Sequence, residues 1–132
     1  MKKCDLCGNK FEGPGHNPAP FNRDICCDEC NNNLVLRLRL YLTGTEPNTL
    51  LVIEPNGTLI YVDLEGDTAS LKELQRLVGG YIEVYPKEDE NFVFIVDEEG
   101  LIKHKPYNVL VKELFDIDVV GPLVLCHRSK FE

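Results

Sequence analysis

The sequence predicts an α+β protein in which a cysteine-rich N-terminal module precedes a small mixed sheet. Three observations support this prediction. Five of the six cysteines lie within the first thirty residues, two pairs of strand-like stretches follow, and one capped amphipathic segment separates those pairs. The chain of 132 residues is long enough for one modest core beside a short module that has its own stabiliser.

The first thirty residues carry the strongest chemical signal. Cys4 and Cys7 form one Cys-x-x-Cys pair, and Cys27 and Cys30 form a second. Two such pairs are typical ligands of a structural zinc ion, and their separation is typical of a zinc ribbon. Cys26 is the alternative third ligand, although the two-residue spacing to Cys30 favours Cys27. Because four thiolates leave no open position, we expect one structural Zn²⁺ and not a catalytic one.

The residues around these pairs support a module that depends on metal. Gly8 follows the first pair and Asn31 the second, and we expect both to adopt a turn with positive φ. His16 can also replace a cysteine ligand, but the Gly- and Pro-rich sequence around it is typical of a loop. The segment has almost no periodic apolar pattern, so apolar burial alone cannot fold it.

A leucine-rich stretch ends this module. Between Leu34 and Leu42, leucines alternate with Arg37 and Arg39, which predicts a half-buried strand. The polar residues 43–48 are predicted as a linker. We therefore expect a zinc-binding module with its following strand in residues 1–45 and a small α+β domain in residues 46–132.

Two hairpins are predicted in the second part of the chain. The first joins Leu50–Glu54 to Thr58–Asp63, and its Asn56-Gly57 turn supplies the positive φ angles that a tight hairpin needs. The second joins Tyr81–Tyr85 to Phe92–Asp97. Both pairs of strands belong to the predicted sheet.

One main helix separates the hairpins. Ser70 and Glu73 have the spacing of a capping box, and Gly79 can end the helix in a left-handed turn. The apolar positions that share one predicted helical face are Leu71, Leu74, Leu77 and Val78.

Three shorter elements complete the predicted domain. They are a strand at Leu101–His104, a short helix at Asn108–Phe115 and a final strand at Asp118–Leu125. Pro122 lies within the final strand and predicts an edge position or a bulge, because proline cannot donate to a ladder.

The junction before the short helix is a candidate ligand loop, formed by His104, Lys105, Tyr107 and Asn108. A small anionic or nucleotide ligand would suit Lys105, Tyr107 and the helix N-terminus. The alternative interpretation is a solvated loop in which Asn108 caps the helix.

Charge is distributed unevenly along the chain. Residues 1–45 carry six Lys and Arg against five Asp and Glu, whereas residues 46–132 carry eight against seventeen. The acidic part should repel a phosphate backbone. The acidic runs at 88–90 and 97–99 are interpreted as solvated turns. We find no catalytic triad and no phosphate-binding glycine loop, so we predict no catalytic residue and a non-enzymatic protein.

No stretch approaches eighteen consecutive apolar residues, and the first residues lead into polar sequence. We therefore expect a cytoplasmic protein that does not contact a membrane. The oligomeric state is left open, because the leucine-rich strand can pair with the sheet or with another chain.

Beyond residue 49 the chain resembles an uncharacterised domain family found in phages, prophages and plasmids. The resemblance rests on Leu74–Val84, Val96–Lys103 and Asp118–Val124. The N-terminal segment resembles small cysteine-rich phage proteins through Gly15–Pro20 and Cys26–Asn31. These resemblances imply an accessory protein of a mobile element that acts in the cytoplasm of a host cell. The sequence departs from the family at 104–108, where a second proline is expected before the asparagine.

Three functions follow as hypotheses. The favoured one is a counter-defence or regulatory adaptor that binds a host protein through an acidic surface. The second is nucleic-acid binding by the zinc ribbon, although the net charge of the module is only 6 − 5 = +1. The third is a sponge that captures a nucleotide signal at an oligomer interface. The basic residues available to the second function are Lys2, Lys3, Lys10, Arg23, Arg37 and Arg39.

Overall fold

A computed structural model describes residues 1–87 and 89–131 and has an α+β fold. The chain falls into two compact units, Met1–Thr45 and Glu46–Glu132. The first unit contains strands β1 (Lys2–Lys3) and β2 (Lys10–Phe11), a helical turn α1 (Asp28–Cys30), a π-helical turn (Asn31–Val35) and helix α2 (Leu36–Leu42). Strands β1 and β2 pair in an antiparallel two-stranded sheet around the first cysteine pair.

The prediction of a strand at Leu34–Leu42 is wrong, because this stretch is helical. Buried positions recur at Asn31, Val35, Leu38 and Tyr41, a spacing of three to four residues that defines one helical face. The alternating leucines fit the period of two of a strand. Val35 and Tyr41 belong instead to a helical face, which the leucine pattern does not reveal. The leucines off this face are left outside: Leu36 and Leu40 are 44% and 54% exposed.

The second unit is built on a five-stranded sheet. Its elements are β3 (Thr49–Ile53), β4 (Leu59–Asp63), α3 (Leu71–Val78), β5 (Ile82–Tyr85), β6 (Phe92–Asp97), α4 (Val109–Phe115), β7 (Leu123–His127) and a 3₁₀ turn (Arg128–Lys130). The strand order is β4-β3-β7-β6-β5, and every neighbouring pair is antiparallel. Both predicted hairpins are confirmed, whereas the expectation of a mixed sheet is wrong.

Both faces of this sheet are covered in part. Strand side chains alternate between faces, so Val93 and Ile95 belong to the cluster that packs on α3. Phe94 points to the other face and meets Phe115 of α4 edge to face, with ring centroids 5.1 Å apart. The central strands β3 and β6 are consequently buried along their whole length.

Helix α3 begins and ends where the sequence predicts. The Ser70 side chain accepts a hydrogen bond from the Glu73 backbone N–H at 3.1 Å, and Gly79 ends the helix with φ +83°. Leu74 and Val78 are buried, whereas Leu71 on the same predicted helical face is 58% exposed. Leu71 is the first helical residue, and the packed face begins one turn later.

Two predictions near the C-terminus are also wrong. Residues 101–104 form turns and not a strand, because Lys103 and Lys105 reach back toward Asp97 and fold the segment over. The final strand begins at Leu123 and lies between β3 and β6, so it is interior and not an edge. Pro122 precedes this strand and does not interrupt its ladder. The predicted helix at 108–115 is confirmed.

Across residues 1–87 and 89–131, no helix combines the length and the apolar character needed to cross a membrane. The predicted acidic turn at 88–90 includes Glu88, which lies outside the described residues.

Candidate functional site

Four thiols meet in the N-terminal unit. The sulfur atoms of Cys4, Cys7, Cys27 and Cys30 all lie within 4.8 Å of one another, so this group can hold a metal ion. The Cys7 and Cys27 sulfurs are 3.8 Å apart, far beyond the length of a disulfide bond, and all six cysteines are free. The sequence-predicted quartet is thus brought together in space.

The first pair lies on a tight turn between β1 and β2. The backbone N–H groups of Leu6 and Cys7 point at the Cys4 sulfur at 3.4 Å each. Gly8 has φ +79° and donates its N–H to the Cys4 carbonyl at 2.9 Å, which confirms the predicted turn. This geometry supplies the N–H donors that stabilise a thiolate.

The second pair lies at the start of a helix. Cys27 is the N-cap of α1, and its sulfur accepts a hydrogen bond from the Cys30 N–H at 3.5 Å. Asn31 continues the helix with φ −60°, so the prediction of a positive φ there is wrong. The start of the helix replaces a second tight turn. Its first N–H groups have no helical partner, so they are available to donate to a sulfur.

Asp5 joins the two cysteine-bearing segments. Its carboxylate accepts hydrogen bonds from the backbone N–H groups of Asp24 and Ile25 at 3.1 and 3.0 Å. Its own N–H donates to the Ile25 carbonyl at 3.0 Å. Asp5 therefore holds the segment that leads into Cys27 beside the first cysteine pair, which brings the two cysteine pairs together.

The two alternative ligands lie outside the four-thiol group. Cys26 pairs with His16 through two backbone hydrogen bonds of 3.0 Å, and its side chain is fully buried. Successive side chains of extended backbone point to opposite sides, so only one of Cys26 and Cys27 can face the group. The His16 ring contacts Asp28 at 2.6 Å instead of a cysteine.

The ionisation of the four thiols is unequal. Burial alone would raise the pKa of Cys4, but N–H groups of Cys7, Cys27 and Leu6 lower it to about 6. Burial and the neighbouring thiols of Cys7 and Cys27 raise the pKa of Cys30 far above its usual range. Four thiolates this close repel one another strongly, and a bound cation removes that repulsion.

The predicted ligand loop does not form a site as a set. Asn108 is fully buried, and its side chain caps α4 at Val111 while donating to the carbonyls of Ile53 and Gly121 at 2.9 and 3.0 Å. The Tyr107 hydroxyl donates to Asp118 at 2.6 Å. His104 is exposed with φ +57°. The capping interpretation of Asn108 is confirmed.

Lys105, the remaining member of that loop, belongs to a buried ion cluster. Its ammonium group contacts the Asp97 carboxylate and donates to the Val78 carbonyl at 2.6 Å. Lys103 contacts the same carboxylate at 3.0 Å. Burial opposes the charge of Asp97, but hydrogen bonds from Lys105, Glu99 and Lys103 lower its pKa to about 2. The cluster fixes the 98–105 turn to the C-terminus of α3.

Sequence reasoning missed an open cleft of about 360 Å³ in the second unit. It lies on the face of the sheet that carries α4, at the β5–β6 end. Its residues come from both of these strands and from the segments that flank α4. Two of its residues could be recognised in the sequence: Tyr107, a member of the predicted ligand loop, and Leu101, a large apolar residue in a charged stretch that is 78% exposed.

The fold and the thiol group define a small α+β protein with a four-cysteine group able to hold a metal ion. The family model of a domain of unknown function, DUF3846, matches residues 48–132, and the chain belongs to this family. No curated protein and no solved structure matches the chain.

Proposed function

We propose that the four-cysteine group holds one structural zinc ion and that the protein is a non-enzymatic adaptor, whose acidic domain binds a partner protein. The observation that supports this most directly is the closed donor set of Cys4, Cys7, Cys27 and Cys30. Four sulfur ligands favour Zn²⁺, or iron as the alternative, over oxygen-seeking cations such as Mg²⁺.

A structural role fits this donor set better than a catalytic one. A catalytic zinc site keeps one position for water or substrate, and four thiolates fill a tetrahedral shell. Elsewhere in the described residues, the His127 ring lies 2.8 Å from the Ser129 hydroxyl, a pair with the atom types of a base and a nucleophile. That histidine caps the 3₁₀ turn by accepting from the Ser129 N–H at 3.2 Å, which gives this pair a structural role.

Charge favours a protein partner over nucleic acid. The acidic domain carries eight Lys and Arg against seventeen Asp and Glu, which repels phosphates. In the zinc module, Arg39 donates to the carbonyls of Asn17 and Ala19, and Arg23 donates to that of Asp5. Lys2 donates to the Pro14 carbonyl. These three basic side chains thus bind the module's own backbone.

A nucleotide-binding sponge receives less support. Its predicted lysine, Lys105, is held by Asp97 and by the end of α3, and Asn108 is buried beneath the helix it caps. The resemblance to phage and plasmid proteins supplies the proposed context, in which the partner belongs to the host cell and acts in its cytoplasm.

Elemental analysis of the full-length protein, purified without chelators, tests the metal. We expect about one zinc per chain for the wild type, and loss of zinc in Cys7→Ser/Cys30→Ser. Cys26→Ala/Cys126→Ala is the matched control and should keep it. Wild-type protein without zinc would contradict the proposal, and one iron per chain would identify iron as the bound metal.

Affinity capture with the immobilised full-length protein tests the adaptor function. We expect a specific host protein that also forms a stoichiometric complex in solution when both partners are purified. Recovery of nothing at low salt, where electrostatic attraction is strongest, would overturn this part of the proposal.

A further inference from the structure

The cleft at the β5–β6 end lies on the sheet face that carries α4. This helix has only seven residues and is about 10 Å long. The part of this face beneath β5 and β6 is flanked by the 98–107 turn and by residues 118–120. An open depression is left between these segments.

Part of the lining of the depression is apolar and aromatic. Val96 of β6, together with Val119 and Val120, contributes aliphatic surface. Tyr85 and Tyr107 contribute aromatic rings, and Tyr107 is 42% exposed. Leu101 is 78% exposed at the margin, so a large apolar side chain faces solvent where a partner could cover it.

Carboxylates also line the cleft. They are Glu83, Asp97, Glu98 and Asp118, of which Asp97 is paired with Lys103 and Lys105. Asp118 accepts from Tyr107 and has Lys112 at 3.7 Å. Within residues 1–87 and 89–131, neither Glu83 nor Glu98 has an ion-pair partner. Two negative charges at the cleft therefore lack a counterpart in the described chain.

We infer that this cleft binds an arginine side chain from a basic segment of the partner protein, an inference that rests on the proposed adaptor function. Arginine has the required combination: its planar guanidinium stacks on tyrosine rings and pairs with carboxylates, while its aliphatic stem packs on valine and leucine. Arginine and tyrosine are also the residues that most often dominate binding energy at interfaces.

Charge decides between this occupant and the alternatives. An anionic ligand would meet Glu83, Glu98 and Asp118 without a free cation among the lining residues. A second copy of the acidic domain would bring another excess of nine carboxylates, from eight Lys and Arg against seventeen Asp and Glu. Like charges brought together at an interface oppose binding, whereas a basic segment is attracted.

The test uses full-length ¹⁵N-labelled protein and two capped peptides, Gly-Leu-Arg-Ala-Arg-Gly and the same peptide with citrulline in place of arginine. Citrulline keeps the shape and removes the charge. We expect the arginine peptide to shift the amide signals of Glu83, Tyr85, Glu98 and Leu101, with affinity about tenfold above the citrulline peptide. Equal affinity of the two peptides, or no shift at these residues, overturns the inference.

Matched variants separate the cleft from the general field of the acidic domain. Glu83→Gln/Glu98→Gln should weaken arginine-peptide binding about tenfold. Glu65→Gln/Asp67→Asn changes the net charge equally in the loop before α3 and should leave binding unchanged. Equal weakening by both variants would mean nonspecific attraction and would overturn the site.

The same variants distinguish failure of this inference from failure of the adaptor function. If Glu83→Gln/Glu98→Gln captures the partner as well as the wild type does, the adaptor function stands and the cleft is not its binding site. If the arginine peptide binds in the cleft but capture recovers no partner, the cleft chemistry stands and the adaptor function fails.

Discussion

The N-terminal unit and the sheet domain bury different kinds of residue. In the first unit, three of the buried residues are the cysteines Cys4, Cys26 and Cys27, and a long loop rich in glycine and proline connects the cysteine pairs. In the second, every residue of β3 and β6 is buried. With the proposed metal bound, one chain would combine order that depends on a ligand with order that needs only apolar burial and hydrogen bonds.

Removal of the proposed metal should produce the largest difference in order between the two units. Chelation, or Cys30→Ser, should unfold residues 1–45 because metal binding supplies about 10 kcal/mol or more to such modules. Amide spectra of the full-length protein should lose dispersion for that unit while residues 46–131 keep theirs. Cys126→Ala, in the sheet domain, is the control that should retain the metal. A module that stays ordered after its metal is gone would refute the dependence.

Asn108→Ala should produce the largest effect that is confined to the sheet domain. The substitution removes the cap of α4 and the side-chain donor to the carbonyls of Ile53 and Gly121. We expect the free energy of unfolding in urea to fall by roughly 3 kcal/mol. Asn56→Ala in the exposed hairpin turn is the matched control and should cost less than half as much.

Asp97→Asn should lower stability by about 2 kcal/mol at neutral pH, since Asp97 is buried and both lysines are partly exposed. The pKa of Asp97 in the folded state is about 2, below its ordinary value of 3.8, so its contribution is present above pH 4. This contribution is lost as the pH falls toward 2. The difference between wild type and variant, measured by denaturation across this range, should shrink accordingly. Asp116→Asn, at an exposed carboxylate, should show only a small difference, and a pH-independent gap for Asp97→Asn would contradict the assignment.

Cys26→Ala should give the smallest effect and sharpen the ligand assignment. Cys26 is buried, so loss of its sulfur should cost the module about 1 kcal/mol. The metal content should stay that of the wild type, because the sulfur lies outside the four-thiol group. Loss of metal in this variant, with retention in Cys27→Ala, would exchange the roles of the two residues.

Local signals in the sequence predicted much of the sheet domain. The Asn56-Gly57 turn, the Ser70 cap and the Gly79 terminator act within a few residues, so their chemistry can be recognised without a fold. The Leu34–Leu42 helix was mispredicted because its alternating leucines satisfy a strand pattern as well. Only the burial of Val35 and Tyr41 distinguishes the helix from a strand.

The sequence by itself predicted the two Cys-x-x-Cys pairs, both hairpins and the ends of α3, because each depends on spacing along the chain; it left open Cys26 against Cys27 and the role of Asn108. Tertiary structure alone decided that β7 lies inside the sheet, that Lys103 and Lys105 converge on Asp97, and that an acidic cleft forms beside α4. These features join residues far apart in sequence, and their geometry follows from which surfaces the packed elements cover and which they leave open.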